Sequence, residues 1–598
     1  MKRIFTTVLL ILLFNCSFAM AQGDNIDLQN QAIQSQRQFD RAMEQKAELR
    51  QLEKDRIEFE SLEKEEVEKE LSQNDGKVIQ NLSQIQCFRI SQIRFSANKI
   101  LSNRQAKSLT ESYLGKCLTI SQVSEIGKKV GDYLVNKGFL TSRVEIPAQT
   151  LESGVLQINI HETYLEKITF NDDGFFDKSQ KIFVFGFDDE KEILNIEKID
   201  RGIDQINRLG SNNAVAKILP GNMENSSIVA IENNPQKRTR VNLSYDSKGS
   251  DISGRYKNTI ALSQDNLFHI NDNFNISKTG NNFDSHRKTN RSDSLNSNFS
   301  VPFGRHILSL NYSKSSYFFR SGNDNFSKSD GHTSTSFAAL NSNIIKSKRL
   351  KINSNFDITR RYNQNFSNDQ KIDASSRKAS IASFSIVNSA FFNNSSLYLK
   401  PTYSKSINLL DARKDPKTIA AKDAHAEFEM FKLHANYSRK LTIPYLENSV
   451  YNLSFDSQLS KQKLYGIDQF SVGGFYTVRG LRNGSISNDS GYNIKNEITF
   501  NLRKVSDLLV KEEYLGSFAN VVNYISITPF YDYGFVKSSY GKDSGRVSSS
   551  GFSAGFDNSK FTTSLTCAWV LSKSQYLLDN RKENMAIYFD IGTQFGFF

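Results

Sequence analysis

After Phe14 the chain has no stretch approaching the ~18 apolar residues that an α-helical membrane span needs, and prolines number only eight in 598 residues. A helical membrane anchor beyond the N-terminus is therefore excluded, and little in the chain interrupts regular strands and helices. Neither a Walker motif nor a GxGxxG occurs, so no nucleotide is expected to drive the protein's work. The seven histidines, among them His161, His269 and His425, show no HExxH or comparable spacing; no metal and no other cofactor is expected. The segment Gly551 to Gly555 (GFSAG) fits the G-x-S-x-G nucleophile pattern, but no histidine follows His434 and no helix is readable beyond Gly555. Ser553 thus lacks both the strand–turn–helix elbow and the base that hydrolase chemistry requires, and no enzyme is expected.

What is present begins with Met1-Lys2-Arg3, an apolar run from Ile4 to Phe14, and Ala19-Met20-Ala21. Together these read as a cleaved secretory signal peptide over residues 1–21. A lipoprotein anchor at Cys16 is the rival, but Phe14 and Asn15 are a poor match for the small residues that such sites prefer. Cysteine is scarce, with four in all. Cys16 leaves with the signal and Cys567 sits alone in a late alternating segment, so Cys87 and Cys117 are the plausible pair for a disulfide in an oxidising compartment. Metal binding is the weaker reading, because no CxxC or clustered histidine accompanies them.

Composition then narrows the class. There are 44 Phe and 23 Tyr, and Asn, Ser and Lys are plentiful between short alternating segments, as in a transmembrane barrel with polar turns and lumen. The formal net charge of +12 comes from scattered Lys and Arg rather than a stripe, and an exported protein has little access to nucleic acid; no nucleic-acid partner is expected.

Three regions follow the signal. Residues 24–75 contain no Gly or Pro and are rich in Gln, Glu, Lys, Arg and Leu, which predicts helix with only a sparse apolar stripe. Beside a barrel, such a polar helix suits the lumen, so residues 22–58 are assigned as a plug helix and 59–84 as a linker; a solvated arm is the blander reading. From Cys87 the pattern becomes α/β. The run from Phe88 to Phe95 begins as a strand, and helices are predicted from Asn103 to Leu114, capped by Ser102, and from Ser121 to Lys137. Strands follow at Val144–Ile146 and Val155–Ile160, with Gly154 at the turn. A shortened repeat is read from Leu165: a strand to Phe170, a helix from Ile196 to Leu209, and strands Ala214–Leu219 and Ser227–Ile231. These give modules at 85–162 and 163–233, whose sheet edges are open to strand addition by an extended chain. Residues 237–598 read as strand after strand, enough for about sixteen tilted transmembrane strands in a lipid bilayer. A soluble sandwich array is the alternative, but it does not account for a chain ending on an aromatic strand.

The stretches CFRISQIRFSANKILS from Cys87, KCLTISQVSEIG from Lys116 and DYLVNKGFLTSRVEIPAQTLESGVLQINIHE from Asp132 resemble the first periplasmic POTRA domain of two-partner secretion transporters, the ShlB/FhaC/HecB (TpsB) family, which includes the contact-dependent inhibition transporters. In the last third, FSVGGFYTVRGL from Phe470 resembles that family's loop motif, with its core at Val478, Arg479 and Gly480, and FYDYG carries its Phe-x-Asp-x-Gly strand motif at Phe530, Asp532 and Gly534. The fold class implied is mainly β: an antiparallel outer-membrane barrel preceded by a helix and two POTRA domains. The loop is implied to fold back into the barrel so that Arg479 meets Asp532 on the inner wall. Alternation agrees, since Tyr524, Ser526, Thr528, Phe530 and Asp532 form the more polar face. Leu481 departs from the pattern, which usually has an aromatic there.

The activity implied is ATP-free export of a large unfolded exoprotein carrying an N-terminal secretion domain: a haemolysin, an adhesin or a contact-dependent inhibition toxin. Cargo folding outside the cell would oppose its return. The barrel-assembly machinery is an expected partner during biogenesis, reading a C-terminal signal at Phe597 or Phe598. The alternative within the superfamily is an insertase for other barrels, whose members usually carry more POTRA domains. A passive porin would need none.

Overall fold

A computed structural model describes residues 87–597 apart from 97–98, 171–174, 187–191, 282–289, 322–326, 503–520, 575–583 and a few single positions, together with a scattered set between 38 and 56. The signal segment, the 59–84 linker and Phe598 lie outside the described residues.

In the first module the run from Phe88 to Phe95 is two strands rather than one. β1 (Cys87–Arg89) pairs with β3 (Cys117–Thr119), whereas β2 (Gln92–Ser96) runs parallel to β5 (Val155–His161), which also carries β4 (Arg143–Glu145) antiparallel. The break falls where Ile90 is fully buried and the Ser91 amide donates to the Gly154 carbonyl at 2.8 Å. One residue facing inward there changes the strand's partner, which period-two alternation alone cannot report. The Cys87–Cys117 disulfide, with Cα atoms 5.3 Å apart, ties β1 to β3.

Two helices cover one face of this sheet. Helix α1 (Asn103–Thr110) starts at a capping box between Ser102 and Gln105. It stops four residues short of the predicted end, because residues 111–113 tighten into a 3₁₀ turn before Gly115 takes φ +77°. Helix α2 (Ile120–Asn136) has its own capping box at Thr119 and Gln122, and buries Val123, Ile126, Val130 and Leu134 along one stripe. It ends at Gly138, which adopts φ +85°.

The second module repeats the whole strand–helix–helix–strand–strand order of the first, with no counterpart of the β1–β3 pair among the described residues. β6 (Tyr164–Phe170) is followed by a helix missing from the sequence reading, α3 (Phe175–Phe185), then by α4 (Ile196–Asn207), β7 (Ala214–Pro220) and β8 (Ser226–Asn233). The sheet order β6-β8-β7, with β6 parallel to β8, repeats the first module. Gly202 sits inside α4, where glycine costs roughly 1 kcal/mol relative to alanine. Its bare backbone lets the Phe185 ring of α3 approach so closely that a Cβ would lie 2.0 Å from it. On β6, hydrogen bonds from the Ser226 hydroxyl and from Asn222 and Met223 hold the Glu166 carboxyl below the usual carboxylate range and pin the β7–β8 turn.

The modules form a continuous arm onto the barrel. Gly138 accepts a bond from the Ile196 amide at 2.8 Å, and the Asn195 side chain, which caps α4, donates to Lys137 O at 3.0 Å. At the other end Arg208 donates to Asn271 O (2.7 Å) and Ser300 Oγ (2.8 Å). Burial pushes its pKa down to about 10 against the pull of Asp265 and Asp272, so it stays charged at neutral pH.

Sixteen antiparallel strands then close on themselves. Three are short: β9 (Thr239–Asp246), β10 (Lys257–Asp265) and β11 (Asn273–Gly280). Longer ones follow as β12 (Asn290–Phe303), β13 (His306–Ser321), β14 (Ser327–Lys346) and β15 (Leu350–Ser367), with a two-residue extension β16 (Gln370–Lys371). Next come β17 (Arg377–Phe392), β18 (Ser395–Ser406), β19 (Glu429–Leu441) and β20 (Ser449–Ser460). A small hairpin of β21 (Phe470–Val472) and β22 (Ile486–Asn488) stands apart from the wall before β23 (Ser490–Asn501), β24 (Ile525–Lys537), β25 (Ser544–Asp557), β26 (Phe561–Lys573) and β27 (Met585–Phe597). Side chains such as Ile260, Leu310, Phe384, Tyr531, Phe552 and Trp569 are exposed on the outside, while Ser263, Asn311, Ser383, Thr402 and Asn493 line the lumen. That polar-in, apolar-out alternation is what lipid on one side and water on the other demand of a barrel.

The closed loop between Cys87 and Cys117 spans 30 residues, so in the chain-entropy picture the disulfide stabilises the first module by about 3–4 kcal/mol. Urea unfolding of the full chain in detergent, followed by hydrogen exchange, is expected to show β1 and β3 opening earlier in the Cys87→Ser/Cys117→Ser variant, with barrel strands unaffected.

Candidate functional site

Between β20 and β23 the chain turns inward instead of crossing outside. Gly473 and Gly474 adopt φ +112° and +95°, and a Cβ on Gly473 would stand 2.2 Å from the Gly484 carbonyl; only glycine permits that reversal. Thr477 Oγ1 closes the turn, accepting from Gly473 N (2.9 Å) and donating to Gly473 O (3.0 Å). The β21–β22 hairpin so formed presses its apolar side chains on a trough of glycines in the wall. A Cβ on Gly491, Gly534 or Gly545 would come within 2.7 Å of Phe470, 2.8 Å of Val472 and 2.6 Å of Ile486 respectively. Phe470, Val472, Val478, Leu481 and Ile486 are buried there against Val536, Val547 and Val570. Leu481, where the resemblance has an aromatic, is fully enclosed.

At the centre Arg479 is 4% and Asp532 0% exposed. The guanidinium holds the carboxylate at two points, Nε to Oδ2 at 2.7 Å and Nη2 to Oδ1 at 2.6 Å, and the Arg479 amide adds a third bond at 3.1 Å. Nη1 reaches Glu497 at 2.8 Å, and the guanidinium carbon lies 3.5 Å from the centroid of the Phe530 ring. Charge, fork geometry and the ring face are thus all satisfied. Gly480, at φ +105°, packs on Val570. Val478, Arg479, Gly480, Phe530, Asp532 and Gly534 therefore meet in one place.

Other contacts of the loop have no counterpart in the sequence reading. Asp468 pairs with Arg361 (2.7 Å) and with Arg377, on β15 and β17, and Asp489 accepts from the amides of Leu464 and Ser539, each at 2.8 Å. Glu497 had left a trace, since Lys495 and Glu497 put charge on one face of an alternating strand. Asp468, in a short irregular segment, left none.

The described residues between 38 and 56 are helical and lie in the lumen. Gln38 donates to Ser471 of the loop at 3.2 Å, Gln45 to Asp456 at 2.7 Å, and Glu48 pairs with Lys400 at 2.5 Å. Among the described residues of this segment, Leu52 finds an apolar seat, against Phe391 and Tyr398. A cavity of about 1390 Å³ remains around the helix and loop. Phe597 is exposed on the outer face of the last strand. Ser553 Oγ shares a hydrogen bond with Thr566 Oγ1 (2.7 Å) on the neighbouring strand, with no base beside it among the described contacts.

The profile described as "Haemolysin secretion/activation protein ShlB/FhaC/HecB" matches residues 225–557, and two POTRA profiles match 88–163 and 164–220. The outer membrane transporter CdiB of Dickeya dadantii is 29% identical over 70% of this chain and 74% of its own length. The hemolysin transporter protein ShlB of Serratia marcescens is 23% identical over 70% of this chain and 73% of its own. The solved structure of CdiB from Escherichia coli superposes with a TM-score of 0.78 at 20% identity, covering 97% of this chain and 100% of that one.

Removing one member of a buried pair typically costs roughly 3–5 kcal/mol because the other charge is left unpaired. Arg479→Ala is therefore expected to unseat the loop, raising current fluctuations in planar bilayers, and Arg479→Ala/Asp532→Ala to restore part of the quiet baseline. A second expectation concerns the helix. Lys400→Glu opposes Glu48 and should raise mean conductance, and Glu48→Lys in the same chain should lower it again; equal conductance in all three proteins would show that this pair does not hold the helix.

Proposed function

The chain belongs to the ShlB/FhaC/HecB family of haemolysin secretion/activation proteins, and we propose that its lumen is the path by which one large exoprotein leaves the periplasm, with the helix and loop as the parts that open it. It is an outer-membrane transporter of two-partner secretion, with its POTRA domains on the periplasmic side. The observation that supports this reading is that residues of the helix and of the inward loop lie inside the bore, where Gln38 meets Ser471, rather than forming part of the wall. A lumen that holds a helix, about 10–12 Å across with side chains, also takes an extended chain.

In this reading the cargo arrives unfolded and adds as a strand to a POTRA edge. The β7 edge offers free pairing and the exposed side chains of Val215, Ile218 and Leu219. The helix then withdraws, its polar contacts exchanging for water at little cost. Arg479 and Asp532 hold the loop on the wall until the cargo needs the space. Folding of the cargo outside drives export without ATP. The cargo is a long exoprotein of the haemolysin, adhesin or contact-dependent inhibition class. The barrel-assembly machinery reads a C-terminal signal at Phe597 or Phe598 when the barrel is inserted.

The test is co-expression with each large exoprotein encoded beside this chain, assaying medium and cell surface. One cargo should appear only with the transporter present and vanish when residues 87–232 are deleted; with Arg479→Ala, export should fall while barrel levels hold. Unaltered export by that variant would remove the loop from the mechanism.

A further inference from the structure

The barrel closes where its first strand, β9, meets its last, β27, and this seam has eight register pairs, Thr239–Asp246 against Asp590–Phe597, as few as the β9–β10 and β10–β11 ladders beside it and half of what β13 and β14 share. Strand edges that stop pairing leave backbone carbonyls to be satisfied by other means. Past Asp246 the ladder gives way to mixed contacts. Ser247 N still donates to Phe589 O (2.9 Å), but the Phe589 amide turns to the Ser247 hydroxyl (2.9 Å). Gly249 then pairs within its own hairpin, with Arg255 O at 3.1 Å.

The inward loop occupies this place. One terminal nitrogen of Arg482 donates to the carbonyls of Ser247 and, at 3.3 Å, Gly249, following β9; the other donates to the Ile587 carbonyl on β27. The guanidinium lies 4.6 Å from the Tyr588 ring centroid, and Phe475 meets the same ring edge-on at 5.0 Å. On the β9 side Asn483 exchanges two 2.7 Å hydrogen bonds with Asp251, and Lys248, paired with Asp590 across the seam at 2.6 Å, sits 4.7 Å over the Phe475 ring. A planar fork with donors on two sides suits this bridging in a way that a lysine's point charge does not.

We propose that Arg482 is a latch on the barrel seam: with the loop seated at Arg479–Asp532, it ties the outward ends of the first and last strands, which part only when the loop leaves. Arg479 holds the loop to the wall, and Arg482 passes that seating on to the closure of the barrel. The loop therefore serves two sites on the barrel from residues three apart in sequence.

Amide hydrogen exchange on the full chain in liposomes tests this without any cargo. Arg482→Ala should speed exchange in 239–246 and 590–597 by about tenfold, the sign of local opening, and leave 306–321 and 327–346 unchanged. Arg479→Ala should give the same seam effect, and the double variant no more than Arg479→Ala alone. Unchanged seam exchange, faster exchange all round the barrel, or additive effects in the double variant would each overturn the latch. Should Arg482→Ala fail to assemble, Arg482→Gln, which keeps donors for one carbonyl, is read against the same outcomes.

Discussion

A guanidinium and a carboxylate enclosed in the barrel wall are expensive to desolvate, and their attraction offsets that cost only when geometry is good and every donor is used. Arg479 and Asp532 meet the condition through two side-chain bonds and one from the backbone, with Glu497 and the Phe530 ring taking what remains of the cation. Other features of the inward loop serve that placement. The glycines at 491, 534 and 545 lower the wall so that Phe470, Val472 and Ile486 lie flat on it, excluding water from the pair. Gly473 and Gly474 reverse the chain so that the loop points inward at all.

The two pieces within the lumen are held by different physics. The loop has an apolar cluster, a buried ion pair and an anchor at Asp468 on the opposite wall. The helix has glutamine hydrogen bonds and a partly buried ion pair facing the polar lumen, contacts whose partners water can replace. In the proposed mechanism this asymmetry sets an order of release, with the helix going first. Burying more apolar surface would hold the helix better but would also keep it from leaving, so its sparse apolar stripe fits a removable part.

Outside the lumen the arm is built to transmit position. Its two modules share the Gly138–Asn195 junction, and Arg208 docks the second on the barrel through Asn271, in the turn between β10 and β11, and Ser300 on β12. A polypeptide bound at the β7 edge is thereby presented at a fixed place relative to the lumen mouth.

Much of this was legible in the chain itself. Period-two alternation marked a barrel and the length of that region was enough for about sixteen strands, spacing and capping residues marked helices α1, α2 and α4, and the family resemblance carried by the Arg479 and Asp532 motifs implied that these two residues meet. Local signals of that kind act over a few residues, where side-chain direction follows from backbone geometry. Tertiary structure alone decided the rest. The break at Ile90, helix α3, the anchor at Asp468 and the bridge at Arg482 depend on partners far along the chain, and an aspartate in an irregular segment carries no mark of which wall it will face. The sequence by itself determined the parts and their order; which surfaces come together, and therefore what each part holds shut, was settled only when the barrel closed, because burial and pairing are properties of the assembled neighbourhood.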